Sequence, residues 1–186
     1  MPATTAAPAL SVILVCKNPG SRLHAALASV WEQHQVHPEI IVIDGASTDG
    51  SREWLTSQRA RLATLISEPD AGHYHAMNRG VALATGEWLL FLGADDRLVG
   101  DRVLSESLIW MNKTEAGIAV GEIAYHDGRI SRLRSDVNPC ARNFVPSQGT
   151  FYRRSLFAEN DAFDTSLAVM ATYEFNVRLW KNRVRF

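Results

Sequence analysis

Short apolar runs alternate with amphipathic stretches over the first half of the chain, and that alternation predicts its elements. Ser11 to Cys16 (SVILVC), Glu39 to Ile43 (EIIVI) and Trp88 to Leu92 (WLLFL) have the length and composition of strands buried on both faces of a parallel sheet. A shorter run, about Leu62 to Ser67, predicts another strand. Leu23, Leu27, Val30 and Trp31 recur at helical spacing, so a helix is expected from Ser21, as its cap, to about Gln33. Further helices are predicted from about Ser51 to Ala60 and from about Tyr74 to Ala84, the second ended by Gly86. Strand then helix, repeated through this half, means a parallel sheet with right-handed crossovers.

The pattern changes after Leu98. Asp101 to Asn112 reads as a helix with Val103, Leu104, Leu108 and Met111 inward. Gly117 to Tyr125 and Gly128 to Leu133 read as two strands around the turn His126, Asp127, Gly128, a hairpin. A polar, weakly patterned loop from about Arg134 to Phe144 has a length associated with binding loops. Residues 1–9 are expected to form a loose tail, and 10–186 a single α/β domain.

Composition narrows the class. With 186 residues, 46% hydrophobic and 21% charged, the chain can bury a real core, and its formal net charge of −1 gives no support for a nucleic-acid partner. Cys16 and Cys140 are far apart and lack CxxC spacing, which argues against a disulfide scaffold or a zinc site and fits a reducing compartment. The leader MPATTAAPAL has neither a basic n-region nor an apolar h-region, and no run approaches the roughly 18 residues that span a bilayer. A cytoplasmic protein, at most peripheral at the inner face of a membrane, is expected. Basic residues bunch late, in Arg129, Arg132, Arg134, Arg142, Arg153 and Arg154, then Arg178, Lys181, Arg183 and Arg185. Most read as solvated faces, a minority as partners for phosphate or a lipid surface.

The candidate chemistry lies at strand ends. Asp95 and Asp96 follow Gly93 and Ala94 where the chain leaves the C-terminal edge of the sheet, the edge at which open α/β folds place ligands. Adjacent acids repel, and a divalent cation, Mn²⁺ or Mg²⁺, carrying a diphosphate would compensate them. The alternative is a solvated Asp-Asp turn capping the next helix. Asp44 ends the second strand before a loop of turn residues, Gly45 to Ser51, and an acid there can accept hydrogen bonds from a base or ribose. Asp49 reads as an N-cap. Neither GxGxxG nor GxxxxGK[ST] is present, so neither a dinucleotide fingerprint nor a P-loop is supported. His73 and His75 have HxH spacing, but as loop histidines beside an acidic site they read as lining it rather than ligating metal.

The strings VIDGASTDGS and then EPDAGHYHAMNRGVALATGEWLLFLGADD resemble the inverting family 2 glycosyltransferases of GT-A fold, especially those building bacterial surface polysaccharides. The resemblance implies a Rossmann-like, mostly parallel twisted sheet flanked by helices, with an antiparallel segment on the acceptor side. Residues 10–98 would form the nucleotide-sugar half and 99–186 the acceptor half. It implies that Asp44 contacts the base, Asp95 the ribose, and Asp96 a divalent metal bridging the diphosphate. Asn78 and Arg79 fall where the family carries Asn and a basic residue, which gives Asn78 a donor-binding role. The segment PSQGTFYRRSLF resembles another family stretch, with Ser147 in place of the usual His and Gln148 facing sugar or acceptor.

One departure stands out. YEFNVRL resembles a family helix in which an Asp immediately before the Tyr is the general base, and this chain has Thr172 there. A threonine hydroxyl cannot hold and release a proton near neutral pH. Glu174, roughly 200° further round the helix, is the candidate substitute, with Asp161 and Asp164 as loop alternatives. The family also continues past the position of Phe186 with further helices, so a shortened core is expected. The implied function is transfer of a sugar, from a UDP-sugar in the first instance, to a hydroxyl of a glycan or lipid-linked saccharide with inversion. A donor-binding pseudoenzyme lacking its base is one alternative. A nucleotidyltransferase, which would need a third convergent acid, is the other.

Overall fold

The computed structural model describes residues 8–131 and 145–186. Most of the expected tail, the loop from 134 to 144 and Cys140 lie outside the described residues. The apolar runs form β1 (Leu10–Cys16), β2 (Glu39–Asp44), β3 (Thr64–Ser67) and β4 (Trp88–Gly93). All four are parallel in the order β3-β2-β1-β4, and β4 continues into β8 (Thr150–Arg153) and β5 (Ile118–Val120). β8 runs antiparallel to both of its neighbours, which is the expected antiparallel segment.

Strand residues alternate between two cores, as a pleated sheet covered on both faces requires. Val12, Leu14, Val42, Leu90 and Leu92 pack with Leu23, Leu27 and Val30 of α1 (Arg22–Trp31), Leu55 of α2 (Ser51–Ser57) and Leu104 and Met111 of α4 (Val103–Met111). Ile13, Ile41, Leu89, Phe91 and Tyr152 pack on the other face with Ala76 and Met77 of α3 (His73–Leu83), Phe157 of α5 (Ser155–Glu159) and Phe175 and Leu179 of α6 (Ala171–Lys181). No helix among the described residues is long and apolar enough to cross a membrane.

Several boundaries shift for local reasons. Ser21 adopts helical backbone angles (φ −68°, ψ −14°) and its side chain makes no capping bond, so α1 starts after it. The chain after α2 closes a 3-10 turn at Arg59–Arg61, so β3 begins at Thr64 rather than Leu62. The first strand of the expected hairpin is interrupted. Gly121 leaves the sheet to donate its N–H to the Gly149 carbonyl at 2.7 Å, and beyond it, among the described residues, β6 (Ile123–Ala124) pairs with β7 (Ile130–Ser131).

The ATGE stretch before β4 is explained at the sheet edge away from the acids. Glu39 accepts from Ser11 Oγ at 2.5 Å, from the Thr85 N–H at 2.8 Å and from Thr85 Oγ1 at 2.9 Å. The Gly86 N–H donates to Ser11 Oγ at 2.9 Å, and a Cβ at Gly86 would lie 2.6 Å from the Ser11 backbone nitrogen, so glycine alone fits this approach.

Arg153 and Arg154 belong to this end of the sheet as well. Arg153 pairs with Glu87 and lies over the Trp88 ring, 4.6 Å from its centroid, while Arg154 Nε donates to the Gly86 carbonyl at 3.0 Å. These two late arginines therefore support β4 and β8 rather than reach for phosphate.

Candidate functional site

The C-terminal ends of β1 and β4 with the loops that follow them, the loop after β3 with the start of α3, and Gln148 enclose a cleft of about 640 Å³. Its lining includes Lys17, Arg22, Asp70, His73, Asp95, Asp96 and Gln148. Two loops are stitched together beside it: the Asn18 N–H donates to Ser47 Oγ at 2.7 Å, the Thr48 N–H to Asn18 Oδ1 at 2.8 Å, and the Gly20 N–H to Asp49 Oδ2 at 2.7 Å. Asp49 also accepts from the Ser51 N–H at 3.1 Å, so it works as a turn and helix-start residue.

Asp95 is exposed and Asp96 half-buried on the tight turn after β4. Partial burial, and then the adjacent Asp95 charge, push the Asp96 carboxyl above its ordinary value. Asp95 Oδ2 lies 3.9 Å from Arg22 Nη1. The pair is largely solvated, and contributes little by itself.

Two hard-oxygen donors crowded at the edge of a cleft fit a divalent cation that completes its shell with phosphate and water oxygens. Asp96, with Asp95 beside it, would hold it. No group of three or more His, Cys, Asp or Glu placed to hold a metal occurs among the described residues, so the third acid needed for nucleotidyl transfer is not found there.

Asp44 is not in the cleft. Cys16, Asp44 and Ser67 are in register across β1, β2 and β3, so their side chains emerge on one face and meet. The Asp44 carboxylate is 0% exposed and accepts from Ser67 Oγ at 2.6 Å, from the Ser47 N–H at 3.0 Å, from Ser47 Oγ, and from Cys16 Sγ at 3.6 Å. Burial, followed by the Asp44 charge, pushes the Cys16 thiol far up, so it stays a protonated donor. The expectation that Asp44 meets the base is corrected: its oxygens are used inside the protein, where they hold the loop after β2.

Asn78 is corrected for a similar reason. Its Nδ2 donates to the Phe163 carbonyl at 2.8 Å and its Oδ1 accepts the Phe163 N–H at 3.0 Å, so the amide is a strut between α3 and the chain before α6. Arg79 pairs with Glu68 at 2.9 Å.

Glu174 is also committed. It receives Arg178 Nε at 2.9 Å and Nη2 at 2.6 Å, and the same guanidinium donates to the carbonyls of Asn160, Asp161 and Ala162. Both carboxylate oxygens of Glu174 are engaged by Arg178, and Glu174 lines none of the cavities described here. Asp164 accepts from the N–H and hydroxyl of Ser166, and those bonds hold its carboxyl below the ordinary value.

Thr172, near the start of α6, lines a second cavity of about 230 Å³ with Tyr125, Ser147 and Gln148. Gln148 borders both this cavity and the main cleft. His73 and His75 line a third, of about 220 Å³, and His73 also faces the main cleft. Desolvation lowers the His73 imidazole below its ordinary value, with Asp70 opposing.

Sequence reasoning passed over Lys17, Arg22 and Asp70. The only signal was position: Lys17 directly follows β1, and Asp70 lies three residues after β3, at the ligand edge of a parallel sheet.

The model of glycosyl transferase family 2 matches residues 11–176. The chain belongs to that family. A PGL/p-HBAD biosynthesis glycosyltransferase of Mycobacterium bovis is 32% identical to it over 189 residues, covering 95% of this chain and 72% of the relative. Among solved structures, S. aureus TarS 1-349 in complex with UDP-GlcNAc matches with a TM-score of 0.78 at 21% identity, over 93% of this chain and 53% of TarS 1-349. The mannosyltransferase PcManGT from Pyrobaculum calidifontis, in complex with GDP-Man and Mn²⁺, matches with a TM-score of 0.68 at 21% identity, over 93% of this chain and 52% of its own. This family 2 chain thus spans about half the length of those structures, and its fold is the GT-A fold they share.

Proposed function

We propose that this family 2 chain transfers a sugar from a nucleotide diphosphate sugar, a UDP-sugar in the first instance, to a hydroxyl of a glycan or lipid-linked saccharide, with inversion, in polysaccharide or glycolipid biosynthesis. The observation that carries the reading is the pair Asp95 and Asp96, set in a cleft at the C-terminal edge of a parallel sheet. TarS with UDP-GlcNAc and PcManGT with GDP-Man and Mn²⁺ support the donor class, and the name of the mycobacterial relative supports a biosynthetic role. The proposed location is the cytoplasm, at the inner face of a membrane where a lipid-linked acceptor would be met.

Lys17 and Arg22 line the same cleft as the acid pair and offer cationic partners to phosphate oxygens. Asp96 would hold Mn²⁺ or Mg²⁺, which when bound supplies Lewis-acid stabilisation of the leaving diphosphate. Gln148, between the two cavities, would orient the sugar against the acceptor. A second reading, a donor-binding protein without transfer, is favoured by Thr172 at the acceptor-side cavity and by the pairing of Glu174 with Arg178.

Calorimetric titration with UDP, with and without Mn²⁺, on the wild type and on Asp96→Ala tests the donor site. Metal-dependent binding that the substitution abolishes is the expected result. Absence of binding by the folded wild type under both conditions would overturn it.

A further inference from the structure

α4 is apolar on two faces, and the domain buries one of them. Leu104, Leu108 and Met111 are packed into the core that covers one face of the sheet. On the outer face, Glu106, Ile109, Trp110 and Lys113 recur at helical spacing, within an arc of about 100°. Lys113 stands in the turn that closes the helix, where its N–H donates to the Trp110 carbonyl at 3.0 Å. Ile109 and Trp110 are each 54% exposed. Glu106 and Lys113 are exposed as well, and neither makes an ion pair among the described residues. Two helical turns separate them, about 10 Å along the axis, which is too far for them to pair with each other. An isoleucine beside a tryptophan in water, on a helix whose buried stripe is already complete, marks a contact surface.

We propose that this stripe is a dimer interface, covered by α4 of a second copy of the chain. The stripe is complementary to itself. In two antiparallel helices related by a two-fold axis midway between Ile109 and Trp110, Glu106 of each copy faces Lys113 of the other, and Ile109 of each faces Trp110 of the other. An apolar centre with opposite charges at its two ends therefore satisfies both copies at once.

A lipid surface fits this face less well. The stripe carries one acid and one base, whereas helices that lie on anionic bilayers flank their apolar face with Lys and Arg. A contact two helical turns long falls short of the ~800 Å² per partner of a standard stable interface, so a weak, concentration-dependent dimer follows rather than a permanent one. None of the four residues lines a cavity described above, so the dimer and the donor site stand or fall separately.

Sedimentation velocity of the wild type from about 5 to about 500 µM should show a rising dimer fraction. Trp110→Ala should weaken dimerisation by about tenfold or more. Glu106→Lys and Lys113→Glu each set like charges against one another at both ends, and each alone should sediment as a monomer where the wild type dimerises. An equimolar mixture of the two should form a heterodimer, because every Lys of one copy then meets a Glu of the other. The double variant Glu106→Lys/Lys113→Glu should dimerise like the wild type. All these positions are exposed, so urea midpoints should stay at the wild-type value. A wild type that remains monomeric up to about 500 µM would overturn the proposal. So would a dimer that the charge variants and Trp110→Ala leave unchanged. Binding to phosphatidylglycerol vesicles that Trp110→Ala abolishes, with no self-association, would make the occupant a bilayer and overturn it as well.

Discussion

Asn78 and Phe163 exchange two hydrogen bonds, at 2.8 and 3.0 Å, in which the side-chain amide of one satisfies both backbone groups of the other. The exchange acts like one rung of a ladder between α3 and the chain leading to α6. Phe163 is itself clasped by aromatic neighbours, with ring centroids 5.4 Å from Phe91, 5.2 Å from Phe157 and 5.2 Å from Phe175. The helix that begins at the cleft is thereby fixed to the chain leading into α6.

Replacing Asn78 by Ala leaves a backbone N–H and a carbonyl at a buried residue without partners, at a cost of about 1–3 kcal/mol. Urea denaturation should show that loss, while calorimetry shows UDP affinity close to that of the wild type. Lost affinity at unchanged stability would mean that the amide reaches the ligand instead.

Asp44→Asn keeps the size of the side chain but turns one acceptor oxygen into an NH₂ donor at a site where four groups donate to the carboxylate. A penalty of about 3 kcal/mol is expected for that reversal in a sealed site. The midpoint of urea unfolding should fall accordingly, and an unchanged midpoint would refute the anchoring role.

Glu39 makes stability depend on pH. Burial raises its carboxyl, but hydrogen bonds from Ser11 and Thr85 outweigh burial, and the net shift is downwards from 4.5. A carboxyl lowered by folding contributes stability that is fully present above its unfolded value and is lost as pH falls through the folded one. Glu39→Gln should therefore be less stable than the wild type at pH 7, with the gap closing below about pH 4. Parallel stability curves from pH 7 to pH 3 would contradict this.

Acceptor deprotonation gives the sharpest contrast between two neighbouring positions. Glu174→Gln should leave transfer within about twofold, because Arg178 already neutralises that carboxylate. Thr172→Asp would place a base at the acceptor-side cavity, with a gain of about 100-fold in turnover if a missing base limits transfer. UDP release measured with a saccharide acceptor separates the cases. A fall in turnover for Glu174→Gln would restore it as the base.

The parallel half of the fold was legible because each buried strand is a continuous apolar run and each covering helix has its own apolar stripe. β8 was not read as a strand. Phe151 and Tyr152 serve opposite cores, and the segment is short. Its place between β4 and β5 depends on partners about 30 to 60 residues away, which no local period reports.

Asp95 and Asp96 could be placed from sequence because two acids directly after a buried strand have nowhere to go but its C-terminal edge. The same logic put Asp44 at that edge, and it is there. Whether an acid at a strand end faces ligand or protein depends on what the neighbouring strands present in register. Cys16 and Ser67 close Asp44 in, while Gly45 leaves space for Asp70. The chain by itself determined the sheet, its helices and the edge at which chemistry can occur, since local periodicity and turn residues encode these. The i,i+4 pair of Glu174 with Arg178 is local in the same way, whereas only the tertiary structure decided that Asp44 is closed and Asn78 committed, because Cys16, Ser67 and Phe163 come from distant parts of the chain and satisfied polar groups cannot also serve a ligand.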